Sequence, residues 1–397
     1  MKNKVLLKDY ISTIESGTRG KGGASLEGVP SLGAEHLISD GTVNWDINKM
    51  KYIPDELFQS LKSGIVKQND VLIVKDGATT GKTVYVDNLL YNKVAINEHI
   101  FLLRPDEKHL LSKYLFYYLH SKEGNRHVMA NFRGATIGGI TKTFINMPLP
   151  LPVISKQKEI ISILDNIFSL ICLKKRQLSK MDMLVKSRFV EMFGDPLKNS
   201  KNWPTDTLKS TCSKIGSGAT PKGGQASYIE HGVSLIRSMN VHNGYFKYDD
   251  LAHINDEQAK QLNIVIVMEN DILFNITGAS VTRSCIVPND VLPARVNQHV
   301  AIIRPNPEKV TSTFLNRVFL NDSYQHSLLN MAESNGATRQ AITKQQLEML
   351  IIPLPPIELQ NQFTNFVNQI NKSKVKVQKS LAKLEVLKKS LMQEYFG

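Results

Sequence analysis

Two stretches of the chain place apolar residues at alternating steps of four and three. From Ile160 the series runs Leu164, Ile167, Ile171, Lys174, Leu178, Met181, Val185, Arg188 and Met192. From Phe363 it runs Val367, Ile370, Lys374, Val377, Leu381, Leu384, Lys388, Leu391 and Tyr395. A mean step of 3.5 residues is the seam of a coiled coil, and neither stretch carries a Gly or Pro to interrupt it. The spacing predicts two long helices over 157–192 and 360–395, each on the order of 50 Å at ~1.5 Å per residue. Each has a stripe to bury, and the obvious partner is the other; the alternative is two amphipathic helices packed separately on their own domains. The basic exceptions recur at matched positions, Lys174 with Lys374 and Arg188 with Lys388, as candidates for setting register or orientation.

Elsewhere the apolar runs are short. Residues 71–74, 100–103, 272–274 and 300–303 are strand-length and bounded by turn residues, whereas 55–61 and 110–119 read as helices. The fold class expected is mixed α/β: two tandem α/β domains, each followed by a long helix. Proline clusters, Pro148-x-Pro150-x-Pro152 and Pro353-x-Pro355-Pro356, close the α/β parts. Proline neither continues a strand ladder nor sits inside a helix, so these are expected as hinges. The boundaries that follow are 1–153, 154–200, 201–355 and 356–397.

The two halves repeat each other with a period of about 200 residues. Asn69-Asp70-Val71-Leu72-Ile73 returns as Asn270-Asp271-Ile272-Leu273-Phe274, Asn97-x-His99 as Asn297-x-His299, and Arg104-Pro105 as Arg304-Pro305. Gly134-Ala135-Thr136 with Ile140-Thr141-Lys142 returns as Gly336-Ala337-Thr338 with Ile342-Thr343-Lys344. Gln157 returns as Gln360, and Glu191-Met192-Phe193-Gly194 as Glu394-Tyr395-Phe396-Gly397. So many ordered matches mean a duplicated domain-plus-helix unit, with a period too long for a solenoid.

Charge narrows the function. Lys and Arg number 49 against 36 Asp and Glu, a net charge of +13, which points to a polyanion such as nucleic acid, with an anionic membrane surface second. Cys172, Cys212 and Cys285 are far apart and show no metal or disulfide spacing, so a reducing cytosol fits best and neither a zinc site nor a disulfide framework is expected. The three apolar residues before Lys8 are too few for a signal-peptide core, and no apolar run approaches the roughly 20 residues of a membrane span.

Catalytic chemistry is not expected. Gly77-Ala78-Thr79-Thr80-Gly81-Lys82-Thr83 resembles a phosphate-binding loop, but only three residues separate the glycines, and the second copy has Gly278-Ala279-Ser280-Val281-Thr282-Arg283 with no Gly-Lys. Asp106-x-Lys108 lacks a counterpart in the second copy and reads as an exposed turn. His99 and His299 recur without clustered acids or cysteines, which favours hydrogen bonding within the fold over contact with DNA.

These features are similar to the specificity subunit of type I restriction-modification enzymes, over essentially the whole chain. The resemblance is carried by Ser217-Gly218-Ala219-Thr220-Pro221-Lys222, Gly232-Val233-Ser234-Leu235-Ile236-Arg237, Asn297-Gln298-His299-Val300, Gly336-Ala337-Thr338 with Ile342-Thr343-Lys344, and Pro353-Leu354-Pro355-Pro356-Ile357-Glu358-Leu359-Gln360. The first copy departs from it: Ser16-Gly17-Thr18-Arg19 lacks the Thr-Pro, and Gly33-Ala34 stands where the second has Ile236-Arg237. The resemblance implies two target-recognition domains, each reading one half of a split, asymmetric site on double-stranded DNA. It implies antiparallel helices that set the spacer and dock two methyltransferase subunits, which would hold S-adenosylmethionine, with restriction and motor subunits using ATP in the full complex. The chain itself is then non-catalytic, needs no cofactor or metal, has no membrane partner, and works in the cytoplasm. Alternatives are the specificity partner of a fused type II methyltransferase-nuclease, and a stand-alone basic scaffold for RNA or membrane.

Basic and amide side chains in Gly-rich loops are the candidate DNA contacts, because such side chains pair with phosphates and with purine edges. In the first copy these are Arg133, Thr136 and Lys142; in the second, Arg339, Gln340 and Lys344, joined by Arg237 from the family segment. Lys82 with Arg283, and Lys21 with Lys222, are matched loop positions expected to clamp phosphate. The copies differ most at Ile137-Gly138 against Arg339-Gln340, so the two half-sites should differ.

Overall fold

A computed structural model describes residues 4–18, 25, 27–134, 138–221, 223–334 and 340–397. The chain divides into two compact units, one of Met1–Lys175 with Lys379–Gly397, the other of Arg176–Gln378. The division passes through both long helices, Ile154–Phe193 and Ile357–Phe396, so each unit holds one end of each. Both helices start three residues before the predicted spans, immediately after the proline clusters.

The first unit centres on a four-stranded antiparallel sheet in the order Ile11–Ser16, Ile100–Pro105, Val71–Val74, Thr83–Tyr85. A second sheet orders Tyr52–Ile53, Val29–Leu32 and Ala95–Ile96, the last two pairing parallel. The second unit repeats the plan with Cys212–Ser217, Val300–Pro305, Ile272–Asn275 and Ser284–Ile286 in one sheet. Its other sheet orders Ala252–Ile254, Val233–Ile236, Ala294–Val296 and Ile266–Val267. The repetition extends to a register irregularity at Ile11/Thr13 and again at Cys212/Lys214.

The central strands bury both faces, which is why they read as continuous apolar runs. In the first unit Val71, Ile73, Phe101 and Leu103 pack with Tyr114, Leu115, Ile160, Leu164 and Phe396, while Leu72, Val74 and Leu102 face Leu32 and Ile96. In the second, Ile272, Phe274 and Ile303 pack with Phe314, Phe189, Phe193 and Phe363, while Leu273 and Ile302 face Leu235 and Val296. The ends of the long helices are therefore part of each unit's core.

Within each unit, rising numbers on one helix meet falling numbers on the other. In the first, Lys175 pairs with Glu385 at 3.2 Å, and the Lys388 ammonium lies 4.4 Å from the Phe168 ring centroid. In the second, Lys374 pairs with Asp182, and the Phe363 ring lies 5.6 Å from Phe189. The matched basic residues do not act alike: Arg188 turns to Glu191 on its own helix at 2.8 Å, whereas Lys388 caps an aromatic ring.

The proline clusters depart from the expectation of hinges. Pro148–Pro150 is a strand paired with Lys4–Leu6, and Ile351–Pro353 pairs with Thr205–Thr207. The ladder is two-stranded, and its hydrogen bonds fall at alternate positions, as in the Leu7 amide to the Met147 carbonyl at 3.0 Å. Prolines at the intervening positions have no N–H to lose. The junction is then pinned by a buried glutamine. Gln157 accepts from the Leu111 amide at 2.9 Å and donates to the carbonyls of His109 and Pro152 at 2.8 and 2.9 Å. Gln360 does the same with Thr311, Lys309 and Pro355 at 2.9, 3.2 and 2.9 Å.

Candidate nucleic-acid interface

The functional loops hang on a frame that both copies build alike. Asp70 is buried and bidentate to Arg104, whose guanidinium also donates to the Ile65 carbonyl at 2.8 Å. Asp271, Arg304 and the Ile266 carbonyl repeat the arrangement, with the last bond at 3.0 Å. The side chains of Asn97 and Asn297 each accept from the backbone amide of the histidine two residues on, both at 3.0 Å. The backbone of both duplicated histidines is thereby fixed in the same way.

On this frame the two loop clusters diverge. In the first unit the His99 Nδ1–H faces Asp76 Oδ1 at 2.5 Å. In the second, His299 Nδ1 faces the Thr277 hydroxyl at 2.6 Å. Ion-pair geometry in one copy is thereby replaced by a neutral contact in the other. The loop 77–83 is closed on itself: the amides of Thr80, Gly81 and Lys82 donate to the carbonyls of Gly77, Val74 and Thr79. Amides spent inward do not form the phosphate cradle that the Gly-Lys spacing resembles.

The predicted contacts fall into three groups. Arg133 and Lys142 are exposed in the first unit; the Arg133 amide and carbonyl exchange hydrogen bonds with Gly139, and the Lys142 ammonium donates to the Ile14 carbonyl at 3.2 Å. Lys82 is half-buried, donates to the Ala34 carbonyl at 2.9 Å, and has its pKa lowered by burial, partly offset by Glu35. In the second unit Arg283, Gln340, His299, Thr277, Ser238 and Met239 come together around one pocket of about 540 Å³. Lys344 lies apart, on a second pocket of about 580 Å³ with Lys209 and Lys214. On the first pocket, the Gln340 amide donates to Glu333 at 2.8 Å. Arg237 stacks over Tyr228 at 5.5 Å and donates to the Asp250 carbonyl. Lys21, Thr136, Lys222 and Arg339 lie outside the described residues. Sequence reasoning missed Met239, Lys209 and Lys214. Met239 stands where the first copy has Glu35, and Lys214 where it has Thr13, so the matching of copies does not reveal them.

The profile of the family described as the type I restriction modification DNA specificity domain matches residues 40–181 and again 201–388. The chain belongs to this family. Within the family, the type I restriction enzyme MjaVIII specificity subunit of Methanocaldococcus jannaschii is 23% identical over 348 residues, covering 83% of this chain and 79% of the relative. The fold is also that of a solved type I restriction-modification S subunit from M. genitalium, with a TM-score of 0.59 and 14% identity, covering 100% of this chain and 96% of that one. A chain from a study of complex assembly and conformational transition in the type I R-M system aligns with a TM-score of 0.55 and 16% identity, covering 99% and 97%. Specificity subunits of this family are non-catalytic, and among the described residues no acidic, histidine and cysteine group has the makings of a metal site. No described helix is long and apolar enough to cross a membrane.

Proposed function

We infer that the chain recognises a bipartite, asymmetric site on double-stranded DNA and docks methyltransferase subunits, with restriction and motor subunits joining in the full complex. The observation that carries this reading is one frame built twice with different chemistry on its loops. Two readers with equal scaffolds and unequal contact sets suit two unequal half-sites, and the surplus of 49 basic over 36 acidic residues supplies phosphate affinity. Residues 1–153 and 201–355 are the recognition domains of this reading, and 154–200 with 356–397 its helical spine. Lys142, Arg133, Lys344, Arg237, Arg283 and Gln340 and, from loops outside the described residues, Lys21, Lys222, Thr136 and Arg339 are assigned to DNA, whereas Lys82, seated on the Ala34 carbonyl, is not.

The two long helices pair antiparallel as a coiled coil in this reading. Support comes from Lys175 with Glu385 in one unit and Lys374 with Asp182 in the other, each running in opposite senses. Leu173, Met183, Leu184, Val386 and Leu387 remain exposed on these helices, apolar surface suited to partner subunits. Methyl transfer and cleavage belong to the partners, in the cytoplasm. The test is co-purification with a methyltransferase subunit, followed by footprinting on duplex DNA. Two protected patches separated by an unprotected spacer are expected. A single continuous footprint, or methylation by the chain alone, overturns the reading.

A further inference from the structure

The pocket in the second unit is lined by Ser238, Met239, Thr277, Gly278, Ser280 and Arg283 among others, and none of its described lining residues is a carboxylate. Most of its polar groups are already engaged. Thr277 and His299 face each other at 2.6 Å, and the Gln340 amide is tied to Glu333 at 2.8 Å. Arg283 differs. Its backbone is fixed by the Asn275 amide, which donates to the Arg283 carbonyl at 2.8 Å, but its guanidinium makes no hydrogen bond or ion pair with any described residue. The matched Lys82 in the first unit donates to Ala34 at 2.9 Å instead.

Two features fix the backbone that carries this guanidinium. Asn275 is fully buried, and its amide donates to the Ser238 carbonyl at 2.9 Å and to the Ser280 hydroxyl at 3.1 Å, joining two walls of the pocket. Thr282, next to Arg283, adopts φ 72°, the left-handed region that a β-branched residue rarely occupies, where the first copy has Gly81 at φ 84°. A strained backbone beside a fork of donors with no partner among the described residues is the kind of local cost that persists where a side chain must be aimed.

Resting on the reading that the second unit contacts duplex DNA, we propose that this pocket takes the major-groove edge of a guanine, with Arg283 as the bidentate donor to N7 and O6. An arginine fork needs two acceptors side by side, which either a guanine edge or a pair of phosphate oxygens supplies. The surroundings favour the base. Arg283 is the one Lys or Arg among the described lining residues, so no second basic side chain described there shares a phosphate's charge, and the exposed Met239 thioether lies on the same wall. A flat base edge with apolar flanks fits that wall.

The experiment uses the chain assembled with its methyltransferase partner. Duplexes are enriched from a random library with the wild type, Arg283→Ala and Arg283→Lys, and the recovered site is then remade with 7-deazaguanine at each guanine. The expected result is one guanine in one half-site whose preference disappears in both variants, with a ten- to hundred-fold loss of affinity for the wild type when that guanine is replaced by its 7-deaza form. Arg283→Lys keeps the charge, so its affinity for other sequences should hold while discrimination falls. Unchanged preferences in the other half-site report that the variants are folded. Equal weakening of all sequences by Arg283→Ala, or no position sensitive to 7-deazaguanine, assigns Arg283 to phosphate and overturns the proposal while leaving DNA reading intact. Failure of the wild type to enrich any sequence overturns both.

Discussion

Lys82 and Arg283 occupy the same place in two copies of one frame, yet their cationic groups face opposite fates. Lys82 is turned back onto the Ala34 carbonyl at 2.9 Å, whereas Arg283, on a pocket wall, has no side-chain partner among the described residues. His99 is matched to Asp76 and His299 to Thr277. Below these loops the copies are nearly interchangeable: Arg104 with Asp70 and Arg304 with Asp271 have the same bonds. Duplication has kept the groups that hold the strands and let the groups that face outward diverge. In the proposed reading, a shared frame with unshared loops lets one chain bind two different sequences with one fold.

The largest effects should therefore be equal in the two copies. Asp70 and Asp271 are 2% and 0% exposed, and each is held by one arginine and one backbone amide, that of Lys67 or Met268. Arg104→Ala and Arg304→Ala each strand a buried carboxylate, at a cost of about 3–5 kcal/mol. Chemical denaturation of the two variants should show losses within about 1 kcal/mol of each other, each confined to its own unit. A loss in one copy only would mean that the frames are alike in geometry and unlike in energetics.

A smaller contrast lies where the long helices meet. The second unit uses the ion pair of Lys374 with Asp182, which is largely exposed on the acid side. Asp182→Asn should cost about 0.3–1 kcal/mol at low salt and almost nothing at high salt. In the first unit Lys388 lies over Phe168, and burial lowers the pKa of its ammonium, with Glu385 opposing. A base with a lowered folded pKa binds fewer protons folded than unfolded as pH rises towards about 10.4, so stability gains with pH in that window and the burial penalty is fully present below it. Lys388→Met should leave stability at pH 7 within about 0.5 kcal/mol of wild type and flatten the rise as pH approaches about 10.4, as read from denaturation midpoints. Equal salt sensitivity of both variants would erase the contrast.

The sequence made the frame legible because its signals are local or repeated. Runs such as 71–74 are apolar throughout since both faces are buried, and the 3.5-residue seam locates both long helices to within three residues. Gln157 and Gln360 were visible as a match, but not that their amides lock the proline segments against the helices. The prolines were misjudged as hinges because which ladder positions donate depends on the partner strand, more than 140 residues away in Lys4–Leu6 against Pro148–Pro150. Site residues were legible as types and not as states. Nothing near Lys82 in sequence announces Ala34, 48 residues earlier, as its partner, and nothing near Gln340 separates an amide bound to Glu333 from one free to read a base.

That distinction gives the smallest expected effect and the sharpest test of the comparison. A lysine ammonium that neutralises a phosphate on binding displaces condensed counterions, so removing it lowers the salt slope of DNA affinity by about 1. An ammonium already seated on a carbonyl, with its charge disfavoured by burial, has little to release. Lys82→Met keeps the stem's length and apolar packing while deleting the charge. Its affinity for duplex DNA, measured with the methyltransferase partner at two salt concentrations, should stay within about two-fold of wild type, since the displaced bond is a single protein contact worth about 1 kcal/mol to the fold and not to the complex. The slope should be unchanged within error. A slope shallower by a full unit would show that Lys82 leaves Ala34 when DNA arrives; the two copies would then present matched cations, and the asymmetry of the site would have to arise from the histidine partners Asp76 and Thr277 instead.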